Sequence, residues 1–108
     1  MAEERRKSPR VVVDVPARLT IRGETFDGRV RDICRDAALV EVDRSYPLET
    51  PVTLQAELPK VAGEIRASGR VIRVAPGRDA AHAMAILFDD LPAEALLRIE
   101  FFVSDQEG

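Results

Sequence analysis

The chain has 108 residues, of which 45% are hydrophobic and 32% charged, with a formal net charge of −3. That length fits one domain, and the apolar content is too high for a disordered chain. The acidic balance excludes the broad basic face of a general nucleic-acid binder, and 5% aromatic residues leave little stacking surface for a single-stranded one.

Other classes fall away on the same reading. A single cysteine excludes an intrachain disulfide, and no Cys/His cluster carries metal-ligand spacing. No apolar run approaches the about 20 residues that cross a bilayer, and no signal-peptide pattern precedes the domain. The chain is expected to be soluble and cytoplasmic, with no membrane insertion, metal or cofactor.

Residues 1–9 are polar and lack a periodic apolar pattern, so they are expected to form a flexible basic arm. From Arg10 the chain turns β-rich. Val11 to Val15 and Ala17 to Arg22 alternate as strands, and Pro16 between them marks an edge position or a bulge. Gly23-Glu24 reads as a tight hairpin turn, followed by a strand from Phe26 to Ile33 with Val30 and Ile33 in the core. Ala38 to Val42 is the next strand, ended by the polar, proline-bearing stretch Asp43 to Pro51. Val52 to Leu58 alternates cleanly. In Ile65 to Val74, the residues Ile65, Ala67, Gly69, Val71 and Arg73 share one face, with Ile72 and Val74 on the other. Ala75 to Arg78 reads as a turn, and His82 to Phe88 as the last strand. Six or seven short strands with frequent turn signals favour an all-β barrel or sandwich.

The end of the chain changes period. Pro92 suits the first helical position, and Ala95, Leu96, Ile99, Phe102 and Val103 recur at helical spacing as an apolar stripe. That stripe is expected to pack on the barrel. Leu97 and Phe101 lie partly outside it, and either extend the core or form a second, sticky face. The folded domain is expected to span residues 10–104, with 105–108 as a tail.

No enzyme is expected. His82 is the only histidine, so no Cys-His or Ser-His-Asp constellation can form from separated residues. Asp89-Asp90 reads as charge serving a helix N-terminus, and no glycine-rich loop is present to cradle a phosphate.

Two short segments carry the remaining signal. The first is Arg5-Arg6-Lys7-Ser8-Pro9-Arg10, directly before the first strand; the second is Asp32-Ile33-Cys34-Arg35-Asp36-Ala37, a turn between two strands. Together they resemble the two-part motif of the PilZ domain, R-R-x-x-x-R followed by D/N-x-S-x-x-G. The first half is matched in full. The second is matched at Asp32, with Cys34 in place of serine and Ala37 in place of glycine. The approach to the turn, Gly28-Arg29-Val30-Arg31-Asp32, the strand residues Gly69-Arg70-Val71-Ile72-Arg73-Val74 and the Phe88-to-Leu91 lead into the helix extend the resemblance, whereas Ala83-Met84-Ala85-Ile86-Leu87-Phe88 lacks the family's usual glycine.

The resemblance implies a six- to seven-stranded antiparallel β-barrel with a C-terminal α-helix, many of whose relatives bind the bacterial second messenger cyclic di-GMP. It assigns Arg5, Arg6, Arg10, Asp32, Cys34 and Ala37 to that ligand. Arginine suits the task, since a planar guanidinium carries charge, grips phosphate and stacks on a base. Asp32 can accept from a guanine edge, or can bond its own turn. Cys34 has the size of serine but bonds weakly, and a buried small hydrophobe is its plainer role. Alanine at position 37 costs about 1 kcal/mol if the backbone there is left-handed, and nothing if it is not. Asp36 adds a negative charge that Arg35 partly offsets, and Arg44 and Arg73 are further cations whose place relative to the motif the sequence leaves open. The implied function is a cyclic di-GMP receptor, monomer or weak dimer, whose arm closes on the ligand and alters an unidentified effector protein. The alternative is a degenerate adaptor that does not bind the nucleotide and works through protein contacts, with Leu97 and Phe101 as candidates.

Overall fold

Along Val11–Ile21 every second residue from Val13 to Ile21 is buried and those between are mostly exposed. This period-two pattern makes one face of a strand apolar and drives that face inward. Five further strands follow, and a computed structural model, which describes residues 10–107, shows how they close on one another. They are β1 (Val11–Ile21), β2 (Glu24–Ile33), β3 (Ala37–Val42), β4 (Pro51–Glu57), β5 (Glu64–Pro76) and β6 (His82–Asp90), with one helix, α1 (Ala93–Glu107). The barrel is closed in the order β1-β2-β3-β6-β5-β4, with every pairing antiparallel. Leu19 marks the closure: it pairs with Phe26 on β2 and with Leu54 on β4.

The barrel has two distinct ends. At one stand the start of β1, the β2–β3 turn, the β4–β5 connection and α1; at the other stand the hairpin turns of β1–β2 and β5–β6 and the long β3–β4 connection. Ala95, Ile99 and Phe102 of the helix stripe are buried against the barrel core, as the spacing predicts. Arg98 fixes the helix over the β4–β5 connection by donating to the carbonyls of Ala62 at 3.1 Å and Glu64 at 3.0 Å. Leu97 and Phe101 form the second, exposed face. The helix runs to Glu107, beyond the expected domain limit at 104.

Several local expectations shift. Val11 to Ile21 is one strand, and Pro16 sits just after a bulge, where β1 has β2 on one side and β4 joins only at Ala17. A missing N–H is harmless at such an edge. The first hairpin turn is Arg22-Gly23 rather than Gly23-Glu24, with φ of 55° and 82°, the pair of positive values that a two-residue hairpin requires. A bulge between Val71 and Arg73 resets the phase of β5, so Arg73 is exposed rather than sharing the buried face of Val71. The same strand continues through Ala75 and Pro76, which the sequence reading gave to a turn. Asp89 and Asp90 end β6 instead of leading the helix, and Asp89 lies 3.3 Å from Arg70. Gly69 is required by close approach: a Cβ there would collide with the Leu87 carbonyl of β6.

Candidate functional site

The β1–β2 pairing places Val12 opposite Asp32, so the residue that precedes β1 reaches the acid that ends the approach to the β2–β3 turn. Arg10 Nη1 lies 3.9 Å from Asp32 Oδ2, with the two side chains 44% and 17% exposed. Bulges between Val12 and Val15 on β1 and between Val30 and Asp32 on β2 break the alternation at this spot. Bulges of this kind re-aim side chains at barrel rims. Arg5 and Arg6 lie outside the described residues.

The rest of the second segment forms the turn itself. Cys34 N–H donates to the Ala37 carbonyl at 2.9 Å, closing the turn, and Phe88 N–H donates to the Asp36 carbonyl at 2.8 Å, fastening it to β6. Among the described residues the non-glycine positions with positive φ are Arg22, Glu49 and Lys60. Ala37 is not one of them, so alanine sits there without left-handed strain. Cys34 is buried, which turns its thiol away from solvent. Arg35 pairs with Glu100 of α1 at 3.5 Å, so the turn is tied to the helix as well as to the sheet.

A second polar cluster adjoins the first along the outer face of β1, β2 and β3. Arg29 Nε donates to Asp14 Oδ1 at 2.7 Å, and Arg31 Nη1 donates to Asp79 Oδ2 at 2.9 Å. Arg31 is also 3.9 Å from Asp14 and 3.8 Å from Glu41. Glu41 is buried, and its carboxylate accepts the backbone N–H groups of Arg78 at 2.9 Å and Asp79 at 3.1 Å. The hydrogen bond from Arg29 holds the Asp14 carboxyl below its ordinary range, and the bond to Asp79 pushes the Arg31 guanidinium above its own. The sequence reading quoted Arg29 and Arg31 only as the approach to the turn. Their alternation about buried Val30 was a signal that both point outward, but their partners on β1, β3 and the β5–β6 turn had no local trace.

Arg44 and Arg73 take no part in either cluster. Both sit at the other end of the barrel, Arg44 over the Phe26 ring at 5.4 Å and Arg73 beside the β3–β4 connection. No described helix is long and apolar enough to cross a membrane.

With that geometry in place, the chain can be set beside known proteins. A family model described as PilZ domain matches residues 4–105. No curated protein matches the sequence. The Bacillus subtilis inhibitor of motility MotI/DgrA superposes with a TM-score of 0.83 at 14% identity, over 96% of this chain and 52% of that one. The PilZ domain of YcgR from Escherichia coli, solved with c-di-GMP, gives a TM-score of 0.74 at 11% identity, over 96% and 92% of the two chains. PlzA of Borreliella burgdorferi, solved in complex with c-di-GMP, gives 0.70 at 18% identity, over 93% and 41%. The chain thus spans about half the length of MotI/DgrA and less than half of PlzA, and at these identities the likeness is one of fold.

Proposed function

Because the chain belongs to the PilZ domain family, we propose that it is a cyclic di-GMP receptor whose ligand-bound surface regulates a partner protein. The observation that carries this reading is the meeting of Arg10 and Asp32, one from each half of the two-part motif, beside a turn closed and fastened to β6 by main-chain hydrogen bonds. YcgR and PlzA, which share the fold, are both solved with c-di-GMP.

The chemistry follows from the two groups. An ion pair at 3.9 Å with the arginine 44% exposed contributes little to stability, so Arg10 is readily exchanged from Asp32 to a phosphate. Asp32 would then accept from the N1–H and N2–H groups of a guanine. Arg5 and Arg6 would supply the second phosphate contact and a stacking face, which lysine could not replace. Cys34 and Ala37 would contribute main chain, since the thiol is buried and alanine adds only a methyl. Folding of residues 1–9 over the ligand would change the surface offered to a partner.

Calorimetric titration with cyclic di-GMP, alongside an Arg5/Arg6/Arg10→Ala variant, tests the reading. Saturable heat lost in the variant supports it; no heat and no thermal shift at high ligand concentration refutes it. Amide exchange in residues 1–9 should slow at saturation, and unchanged exchange would remove the arm-closing step.

The exposure of Leu97 at 66% and Phe101 at 63% favours a second reading, an adaptor that works through α1 without the nucleotide. It requires partner binding to survive loss of all three arginines and to fail in a Leu97/Phe101→Ser variant.

A further inference from the structure

At the barrel end away from α1, β5 outruns its neighbour. β4 stays paired with it as far as Arg70, opposite Pro51, whereas β6 stays paired with it to Pro76. Glu49 N–H and Thr50 C=O extend the contact by one residue, bonding the Val71 carbonyl at 2.7 Å and the Val71 N–H at 3.0 Å. From Ile72 to Pro76 one edge of β5 has no strand beside it among the described residues. The β3–β4 connection faces that edge across a groove of about 640 Å³, whose walls include Tyr46, Leu48, Ile72, Arg73 and Val74.

This edge is blunted only in part. Six large hydrophobic side chains are exposed among the described residues, and three of them, Leu48 at 58%, Ile72 at 40% and Val74 at 38%, meet here. Scattered exposed apolar residues need no explanation, but a contiguous group on an open strand edge does. The bulge at Ile72 and the proline at 76 confine pairing to a short stretch, so the edge is unsuited to indefinite stacking.

Charge says what the groove would accept. Arg73 lines it, and Arg22 lies over the Tyr46 ring at 5.7 Å; among the described residues neither makes an ion pair. Of the two acids of the facing connection, Glu49 is already held by Arg70 at 3.0 Å, and Asp43 lines a different groove beside Asp27 and Arg29. Arg73 is thus the charged residue among those lining the groove, and no described acid pairs with it. We infer that this groove docks a short extended segment of a partner protein, apolar at alternate positions and carrying a carboxylate, which adds along the open edge of β5. Main-chain bonds to the edge would supply affinity, Leu48, Ile72 and Val74 would take alternate side chains, and Arg73 would take the acid. The site lies at the opposite end of the barrel from Asp32, so it stands or falls without the nucleotide.

The test is an amide-shift titration of the isotope-labelled protein, without nucleotide, using the acetylated hexapeptide Thr-Val-Glu-Val-Asp-Ile and a counterpart with lysine for both acids. The expected result is saturable shifts confined to Ser45, Tyr46, Leu48 and residues 72–75 for the acidic peptide alone. Val74→Glu should weaken binding by about tenfold or more. Arg73→Glu should reverse the preference between the two peptides, with the rest of the spectrum unchanged. Absence of shifts, an equal response to the lysine peptide, or the same shifts on raising protein concentration alone, which would mean a second copy occupies the groove, would each overturn the inference.

Discussion

At the helix end of the barrel, Ala95, Ile99 and Phe102 are at most 3% exposed and seal the core with apolar surface. At the far end the seal is polar and aromatic. Glu41 gathers two backbone N–H groups of the β5–β6 turn, Thr50 donates its hydroxyl to the Pro47 carbonyl at 2.6 Å, and Phe26 stacks on Tyr46 with ring centroids 5.9 Å apart. The comparison separates two demands on a small barrel. The end that bears the two-part motif is closed by apolar burial of the helix, with Arg98 and Arg35 tying that helix to the β4–β5 connection and to the β2–β3 turn. The end that bears the open β5 edge is held by directional bonds, which fix the loops around the groove while the groove itself stays uncovered.

The largest expected effect breaks the apolar seal. Ile99→Ala removes a fully buried side chain from the helix stripe and should cost about 2–5 kcal/mol, read from the urea midpoint. A loss below that range would mean that the helix is an accessory rather than the plug of the core. Glu41→Ala attacks the polar seal. It leaves two turn N–H groups without their acceptor, and about 1–3 kcal/mol should be lost. Amide exchange should quicken at Arg78 and Asp79 before it does in the helix; uniform quickening would show that the two ends are not separately held.

Ala37→Gly sharpens the comparison at the motif. If alanine were strained there, glycine would stabilise the fold. Because Ala37 is not in the left-handed region and pairs with Leu87 at the start of β3, glycine should instead destabilise by about 0.5–1 kcal/mol through backbone entropy. A rise in the thermal midpoint would restore the case for a conformational defect in the turn.

What the sequence disclosed divides along the same line. Apolar periodicity is local, so the strands and the helix stripe were within reach of a single pass, whereas the choice between core and second face for Leu97 and Phe101 needed the packed helix. The 3.9 Å approach of Arg10 to Asp32 was not stated by the sequence, though the two residues flank strands joined by one hairpin. The bulge at Ile72 left no mark, because nothing in an alternating run announces an extra residue, and it alone moved Arg73 from the inner face to the groove. Glu41 was equally silent. A glutamate between Val40 and Val42 reads as an outward strand residue, and its burial comes from a turn 37 residues away in the chain. Arg29 and Arg31 were named for their place beside Asp32, but their carboxylate partners come from three other elements.

The smallest expected effect lies where the two regions touch, in the Asp14–Arg29–Arg31 cluster. The Arg29 hydrogen bond lowers the folded-state pKa of Asp14 below its unfolded value. A carboxylate depressed in this way binds fewer protons folded than unfolded, so its contribution is fully present above the unfolded pKa and is lost as pH falls through the folded one. Asp14 is exposed over more than half of its side chain, and screening keeps that contribution slight. Wild type and Asp14→Asn should therefore differ by a small margin in urea midpoint at neutral pH, and the margin should close below the ordinary aspartate range and also in high salt. A gap that persists at acid pH would mean that Asp14 acts through its shape in the bulged strand, and that this face is built by packing rather than by charge.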